Sequence, residues 1–332
     1  MGKKKTMGLR AKKVSDMLDM YIEHSKRLRR ENTLHGYFSM GRHILQAFGE
    51  RDMCSITHRD VFLWHEDLSL RIPRSADAAL SLLRCIYRFS VSFEIVSPHQ
   101  NPCLHIKRNK LKIRTRFLTL AELRVLFQSI DIFEKQMIEK IQKSNRLKKS
   151  HEKRIVLLKN VCIAIRMLLY TGCRRGEILS SKWDHLSRFE GKSALWLPTT
   201  KTRPRIVSLP DIAMKELVTL KQLQRSCKEL ADCEWIFPSP KSIKKHIRSI
   251  QSPWKKIREI ASLQPIWMHD LRRIYASQAI LAGCDFSDIA AQLGHESDHI
   301  TRKFYANIVV PPGAKIVAEK VGQRFEDIFD KR

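Results

Sequence analysis

The sequence predicts a mainly helical chain with one small antiparallel hairpin, divided into an N-terminal helical domain and a mixed α/β domain. Three observations lead there. Apolar residues recur at helical spacing through the first hundred positions. Short alternating runs at 194–197 and 205–209 flank a turn that contains Pro204, which reads as a hairpin. Between the helical regions, residues 107–116 hold six basic side chains and no acidic one.

The elements follow in order. Val14, Met17, Leu18, Tyr21 and Ile22 mark a first helix, and Leu34, Tyr37, Phe38, Ile44, Leu45 and Phe48 a second. Thr57 is placed to cap a third, carrying Val61, Phe62, Trp64 and Leu68. A fourth, about 76–92, turns Leu80, Leu83 and Tyr87 inward. Short connections make these a compact bundle, residues 1–107. It closes at Ser97-Pro98 and Asn101-Pro102, because the residue before a proline is pushed out of the helical region. In the linker, 108–116, self-repulsion favours an extended chain suited to a phosphate backbone, and a merely solvated linker is the competing reading.

The second domain, 117–332, opens with Thr119 capping a helix. A Lys-rich helical segment spans 134–154, a buried helix 161–170, and further helices 212–230, 243–261, 269–282 and 286–293. After Pro311-Pro312-Gly313, residues 314–329 carry an apolar stripe of Ile316, Val317, Val321, Phe325, Ile328 and Phe329.

Charge narrows the partners. With 62 Lys+Arg against 34 Asp+Glu, the net charge is +28, which points to a polyanion, nucleic acid first. A membrane surface is the competitor, yet no apolar run approaches the ~20 residues that span a bilayer. The best candidate, 161–170, is short and broken by Arg166. The N-terminus is Lys-rich with no apolar stretch behind it, unlike a secretory signal. It fits a myristoylation pattern, a three-position match that is cheap, and a basic arm on a nucleic-acid binder is the preferred reading. From the short segment before Val14, a simple protein without an additional DNA-binding arm domain is expected. Eight cysteines without a C-x-x-C pair read as reduced, buried thiols of a cytoplasmic protein.

Four separated segments hold side chains able to serve one phosphate. In Thr171-Gly172-Cys173-Arg174-Arg175-Gly176-Glu177, glycine permits a sharp turn from which Arg174 projects a planar fork matched to phosphate oxygens. Glu177 could hold an arginine or orient the turn, but Arg-x-x-Glu alone is also an ordinary helical ion pair. Lys201, at the hairpin tip, could enter a groove and protonate a leaving oxygen, or be a plain turn lysine. His269 and Arg272, one helical turn apart, could converge on one anion. Last come Leu293-Gly294-His295 and Tyr305. A phenol with pKa near ~10 attacks at neutral pH only if bases and cations stabilise its anion, and the other segments supply the cations. Tyr170 and Tyr275 are alternatives, although both sit on predicted buried helix faces.

This ordered set resembles the tyrosine recombinase (phage integrase) family, whose signature is T-G-x-R-x-x-E, a hairpin Lys, H-x-L-R, L-G-H and a later Tyr. Two features depart from the common pattern: Arg273 stands where many members carry histidine, and His295 and Tyr305 are one residue further apart. The resemblance implies a helical core-binding domain followed by a catalytic domain. It further implies that Tyr305 is the nucleophile, that Arg174 and Arg272 clamp the phosphate, and that Lys201 is a general acid. His269 would be an acid/base, His295 a phosphate ligand and Glu177 a support. No metal or other cofactor is expected, since the phosphotyrosyl link conserves the bond energy.

The expected partners are double-stranded DNA with paired inverted half-sites and further copies of the chain. These copies would form dimers and tetramers on DNA through residues 314–329, with no membrane involved, the competing reading being that this helix folds back onto its own domain. Lys107, Arg108, Lys110, Lys112, Arg114, Arg116, Arg203 and Arg273 are the expected DNA contacts.

Overall fold

In the computed structural model the described residues are 13–111, 118–144, 148–189, 191–198, 200, 203–263, 266–295 and 297. Lys201, Tyr305, the stripe at 314–329, and Lys112, Arg114 and Arg116 of the basic segment lie outside them. The chain divides into two compact units, 1–114 and 115–332.

In the first unit, four helices surround one apolar core: α1 (Val14–Lys26), α2 (Glu31–Phe48), α3 (His58–Arg71) and α4 (Pro73–Val91). Thr57 caps α3 as its sequence suggests. Its side chain accepts from the Asp60 N–H while the Asp60 carboxylate accepts from Thr57 N–H, satisfying two donors that a helix start leaves open. Pro73 opens α4 three residues before the predicted start, where its missing N–H costs nothing. Leu80, Leu83 and Tyr87 are fully buried, and the Tyr87 hydroxyl donates to Met53 O at 2.9 Å. Phe38, Leu45 and Phe62, read as part of the inward stripes, are exposed instead. The buried arc of α2 is narrow, running through Gly41, Ile44 and Phe48, and Leu45 sits one helical step outside it. Phe62 is likewise one step round from buried Val61.

The start of the basic segment is fastened to this unit. Arg84 donates to Cys103 O and Ile106 O, and Arg108 donates to Ser81 Oγ. The Asn109 carboxamide and N–H donate to Asp77, which also accepts from buried His65.

The second unit is built on α5 (Leu120–Gln142) and α6 (Lys148–Thr171), with the short α7 (Arg175–Leu179) following a sharp turn. Thr119 caps α5 with Glu122 in the reciprocal arrangement. The single segment expected at 134–154 is therefore parts of two helices, the first ending at Gln142, beyond which the Ser144 hydroxyl bonds back to Ile141 O, and the second running from Lys148. Three antiparallel strands follow, β1 (Leu186–Phe189), β2 (Lys192–Leu197) and β3 (Arg205–Ser208), with β2 central. The expected hairpin is β2–β3, in register Leu195↔Val207 and Leu197↔Arg205.

Next come α8 (Asp211–Ser226), β4 (Pro238–Ser239), β5 (Ser242–His246), α9 (Gln251–Ala261), α10 (Asp270–Leu281) and α11 (Phe286–Leu293). Two helix expectations are corrected here. Residues 243–246 form a strand, because the chain turns at Pro240-Lys241 and pairs back on β4. The α8 helix stops at Ser226 and not 230, and Cys227 and Leu230 turn in to pack on Val156. Cys54 and Cys284 are exposed, contrary to the reading of all eight cysteines as buried. The unit's core gathers α5, α6, α9, α10 and the inner sheet face around Trp254, whose indole donates to Ile266 O. No described helix is long and apolar enough to cross a membrane.

Candidate active site

Three tight turns of the second unit deliver the predicted side chains. The first follows α6. Thr171, fully buried, donates its hydroxyl to Met167 O and accepts from Cys173 N–H, so the chain breaks from the helix at once. Gly172 has φ +64°, and a Cβ there would meet Tyr275 and Leu293 below 3 Å, so glycine is demanded both by conformation and by space. Arg174 emerges at the start of α7, one quarter exposed.

Glu177 lies beneath it, 5% exposed. Its Oε2 accepts from the Arg174 N–H at 2.9 Å, and its Oε1 from Arg174 Nη1 at 2.9 Å. Arg205 of β3 adds two further bonds, Nη1 to Oε1 at 3.0 Å and Nη2 to Oε2 at 2.8 Å. Burial alone would raise this carboxyl's pKa, but the hydrogen bonds from Arg205 and Arg174 outweigh it and hold the pKa below the ordinary value.

The second turn opens α10. Asp270 accepts from Trp267 N–H at 2.8 Å, placing His269 at the helix start and Arg272 on the inward face. Arg272 is 6% exposed and donates Nη1 to Gly172 O at 3.0 Å, while its buried Nη2 has no acceptor among the described residues. Burial and then the nearby Arg174 bring its pKa down to about 10, so this cation sits where cations are disfavoured. Arg273 lies on the same helix with Nη1 3.6 Å from Asp270 Oδ1.

The third turn ends α11, where Gly294 caps the helix with φ +66° and His295 N–H donates to Ala290 O. Partial burial, then Arg272, Arg174 and Arg205, push the His295 pKa down to about 4. His269 is shifted the same way by desolvation of its ring and by Arg272, Arg273 and Arg174. Both imidazoles are thus neutral at pH 7.

These mutual shifts place Arg174, Arg205, His269, Arg272 and His295 in one field, with Glu177 as the buried counter-charge. Such a cluster is chemically suited to an anion, and neutral imidazoles within it can accept or relay a proton. No group of three His, Cys, Asp or Glu side chains that could hold a metal occurs among the described residues. Lys201 and Tyr305 are undescribed, although Thr200 donates to Arg203 O at 2.6 Å across the hairpin tip, with Arg203 exposed beside it. Lys107, Arg108 and Lys110 are exposed on the first unit. Tyr170 and Tyr275 are half-buried, with burial raising both pKa values; the Tyr170 hydroxyl is engaged by Glu216 at 3.0 Å.

Arg205 is the residue that sequence reading missed. Its only signal was an arginine on an alternating strand whose position opposite Leu197 lies on the buried face of β2.

Residues 132–309 match the model of the phage integrase family. No curated protein matches the chain significantly. Solved structures share its fold. A lambda integrase dimer bound to a COC′ core site is 19% identical, with TM-score 0.61, over 87% of this chain and 97% of that one. A Tn1549 transposon integrase in complex with circular intermediate DNA is 14% identical, with TM-score 0.61, over 93% and 99%. The XerH site-specific recombinase bound to difH substrate is 15% identical, with TM-score 0.55, over 87% and 74%.

Proposed function

Because the chain belongs to the phage integrase family, we propose that it is a site-specific DNA recombinase that cuts and rejoins strands through a 3′-phosphotyrosyl link. The observation that carries this reading is the buried Arg272, paired on one terminal nitrogen and without an acceptor on the other among the described residues, in a charged cluster with Arg174, His269 and His295. A scissile phosphate supplies the missing acceptor.

The chemistry then follows residue by residue. The Tyr305 oxygen attacks phosphorus, its proton passing to neutral His269, and the bond from phosphorus to the 5′-oxygen breaks. Lys201 protonates that leaving oxygen. Arg174 and Arg272 hold the non-bridging oxygens as charge builds, and His295 donates a hydrogen bond to the same phosphate. Rejoining is the reverse, with a 5′-hydroxyl of a partner strand as nucleophile. Duplex DNA with paired inverted half-sites is the proposed substrate, inside the cell on the nucleoid. Lys107, Arg108, Lys110, Lys112, Arg114, Arg116, Arg203 and Arg273 are proposed to contact its backbone, and residues 314–329 to join protomers into dimers and tetramers.

A nicked suicide substrate tests the reading. The wild type becomes covalently DNA-linked in excess EDTA, and Tyr305→Phe binds DNA without linking. A link formed by the Tyr305→Phe protein, or a strict divalent-metal requirement, overturns the scheme. Strand exchange between two copies of a selected site separates recombination from simple nicking and resealing.

A further inference from the structure

Glu177 is loaded on both oxygens, each accepting one bond from Arg174 and one from Arg205. The two arginines differ in what remains free. Arg174 spends one terminal nitrogen on Glu177 and is a quarter exposed. Arg205 spends both terminal nitrogens on Glu177, is only 11% exposed, and has its Nε buried without a partner among the described residues.

Its Nη2 also reaches Cys173 Sγ at 4.0 Å, and the guanidinium packs against the turn that carries His295. A Cβ on Gly294 would lie 2.7 Å from Arg205 Nη1 and 2.8 Å from its Cδ and Cζ, so the glycine backbone rests directly on the guanidinium. The far end of the same strand is fastened to the same helix. Gln292 of α11 accepts from Ser208 N–H at 3.2 Å and donates to Ser208 O at 3.1 Å. The strand leaving the Lys201 hairpin is thereby registered at both ends, against Glu177 and against α11.

We propose that Arg205 is a positioning residue that acts through Glu177, fixing the Arg174 guanidinium in one geometry, while the Gly294 contact and the Gln292–Ser208 bonds hold Arg205 and its strand in place. This rests on the recombinase reading above. Such positioning requires a planar fork, because two parallel donors span both carboxylate oxygens and a single ammonium cannot.

A double-mutant cycle with single-turnover cleavage of the suicide substrate tests it. Arg205→Ala is expected to lower cleavage roughly 10- to 100-fold while half-site affinity changes by less than about threefold. In an Arg174→Lys background, where the guanidinium to be positioned is gone, the same substitution is expected to cost less than about threefold. A merely structural role would cost the same factor in both backgrounds, and that result, or undiminished cleavage by Arg205→Ala, overturns the proposal. Should the alanine variant lack a native melting profile, Arg205→Lys carries the same cycle. It keeps the charge with one donor point, and its expected loss is intermediate and again confined to the Arg174 background. A wild type that forms no DNA link at all overturns the recombinase reading itself and the inference with it.

Discussion

Two charged clusters of the second unit are built on inverted plans. At the candidate site one carboxylate, Glu177, is shared by two arginines. Where α5, α6 and α8 meet, one arginine, Arg166, is shared by three carboxylates: Asp131, Glu134 at 3.5 Å and Glu216 at 3.7 Å. Lys159 adds a 3.0 Å pair to Glu134, and Tyr170 donates to Glu216. Titration follows the plan. Burial lowers the Arg166 pKa but its carboxylates outweigh that and raise it, whereas at Arg272 burial, reinforced by Arg174 and only partly offset by Glu177, brings the pKa down to about 10. Burial raises Glu216 above the ordinary carboxyl value despite Arg166, while Glu177 is held below it. The Arg166 cluster nearly cancels its own charge and closes on itself. The other leaves cations facing cations, an arrangement that an incoming anion relieves.

The comparison breaks most visibly at its two central arginines. Arg272→Ala is expected to reduce cleavage by ~10²–10³, with little loss of melting temperature, because it removes a desolvated cation whose Nη2 lacks an acceptor. Single-turnover cleavage and a thermal melt on the same preparation decide it. Lost stability with intact cleavage would make the site the structural cluster of the two.

Arg166→Met should do the converse. It strands Glu134 and Glu216, both largely buried, with only Lys159 and Tyr170 in compensation. A loss of about 2 kcal/mol is expected after allowing for solvent screening at exposed Asp131. Denaturant melts measure it, and cleavage by the folded fraction should be unchanged. A stability loss absent at pH 7 would show that the network adds nothing.

The same contrast explains what the sequence made legible. Helix starts were readable where one local device sets them, as at Thr57 with Asp60 and Thr119 with Glu122. Arg174, His269, Arg272 and His295 were readable because each sits on a turn with its own short pattern. The pieces of sheet outside the hairpin were not, since β1 has four residues and β4 two, too short to show a period. Nor was the join at Arg205, whose partner Glu177 is twenty-eight residues away and whose neighbour Gly294 belongs to another element. Phe38, Leu45 and Phe62 show the opposite error: apolar residues beside the buried arc were counted into it.

The finest distinction is in how stability changes with pH, and it concerns the two carboxylates alone. Glu177 has a folded-state pKa below the ordinary 4.5, so its contribution is complete above 4.5 and is lost as pH falls through the folded value. Glu216 is raised above 4.5, so its ionisation opposes folding at neutral pH and that opposition fades as pH falls towards 4.5. Glutamine at either position removes the titration. Glu177→Gln should therefore melt below the wild type at pH 7, with the gap closing under pH 4.5. Glu216→Gln retains an oxygen for the Tyr170 hydroxyl and should melt at or slightly above the wild type at pH 7, the two curves converging as pH approaches 4.5. Melts taken from pH 8 down to about 3.5 test both signs. Parallel curves for the two variants would mean that the inverted plans do not reach the protonation equilibria, and that the excess of cations at the candidate site is already relieved without an anion.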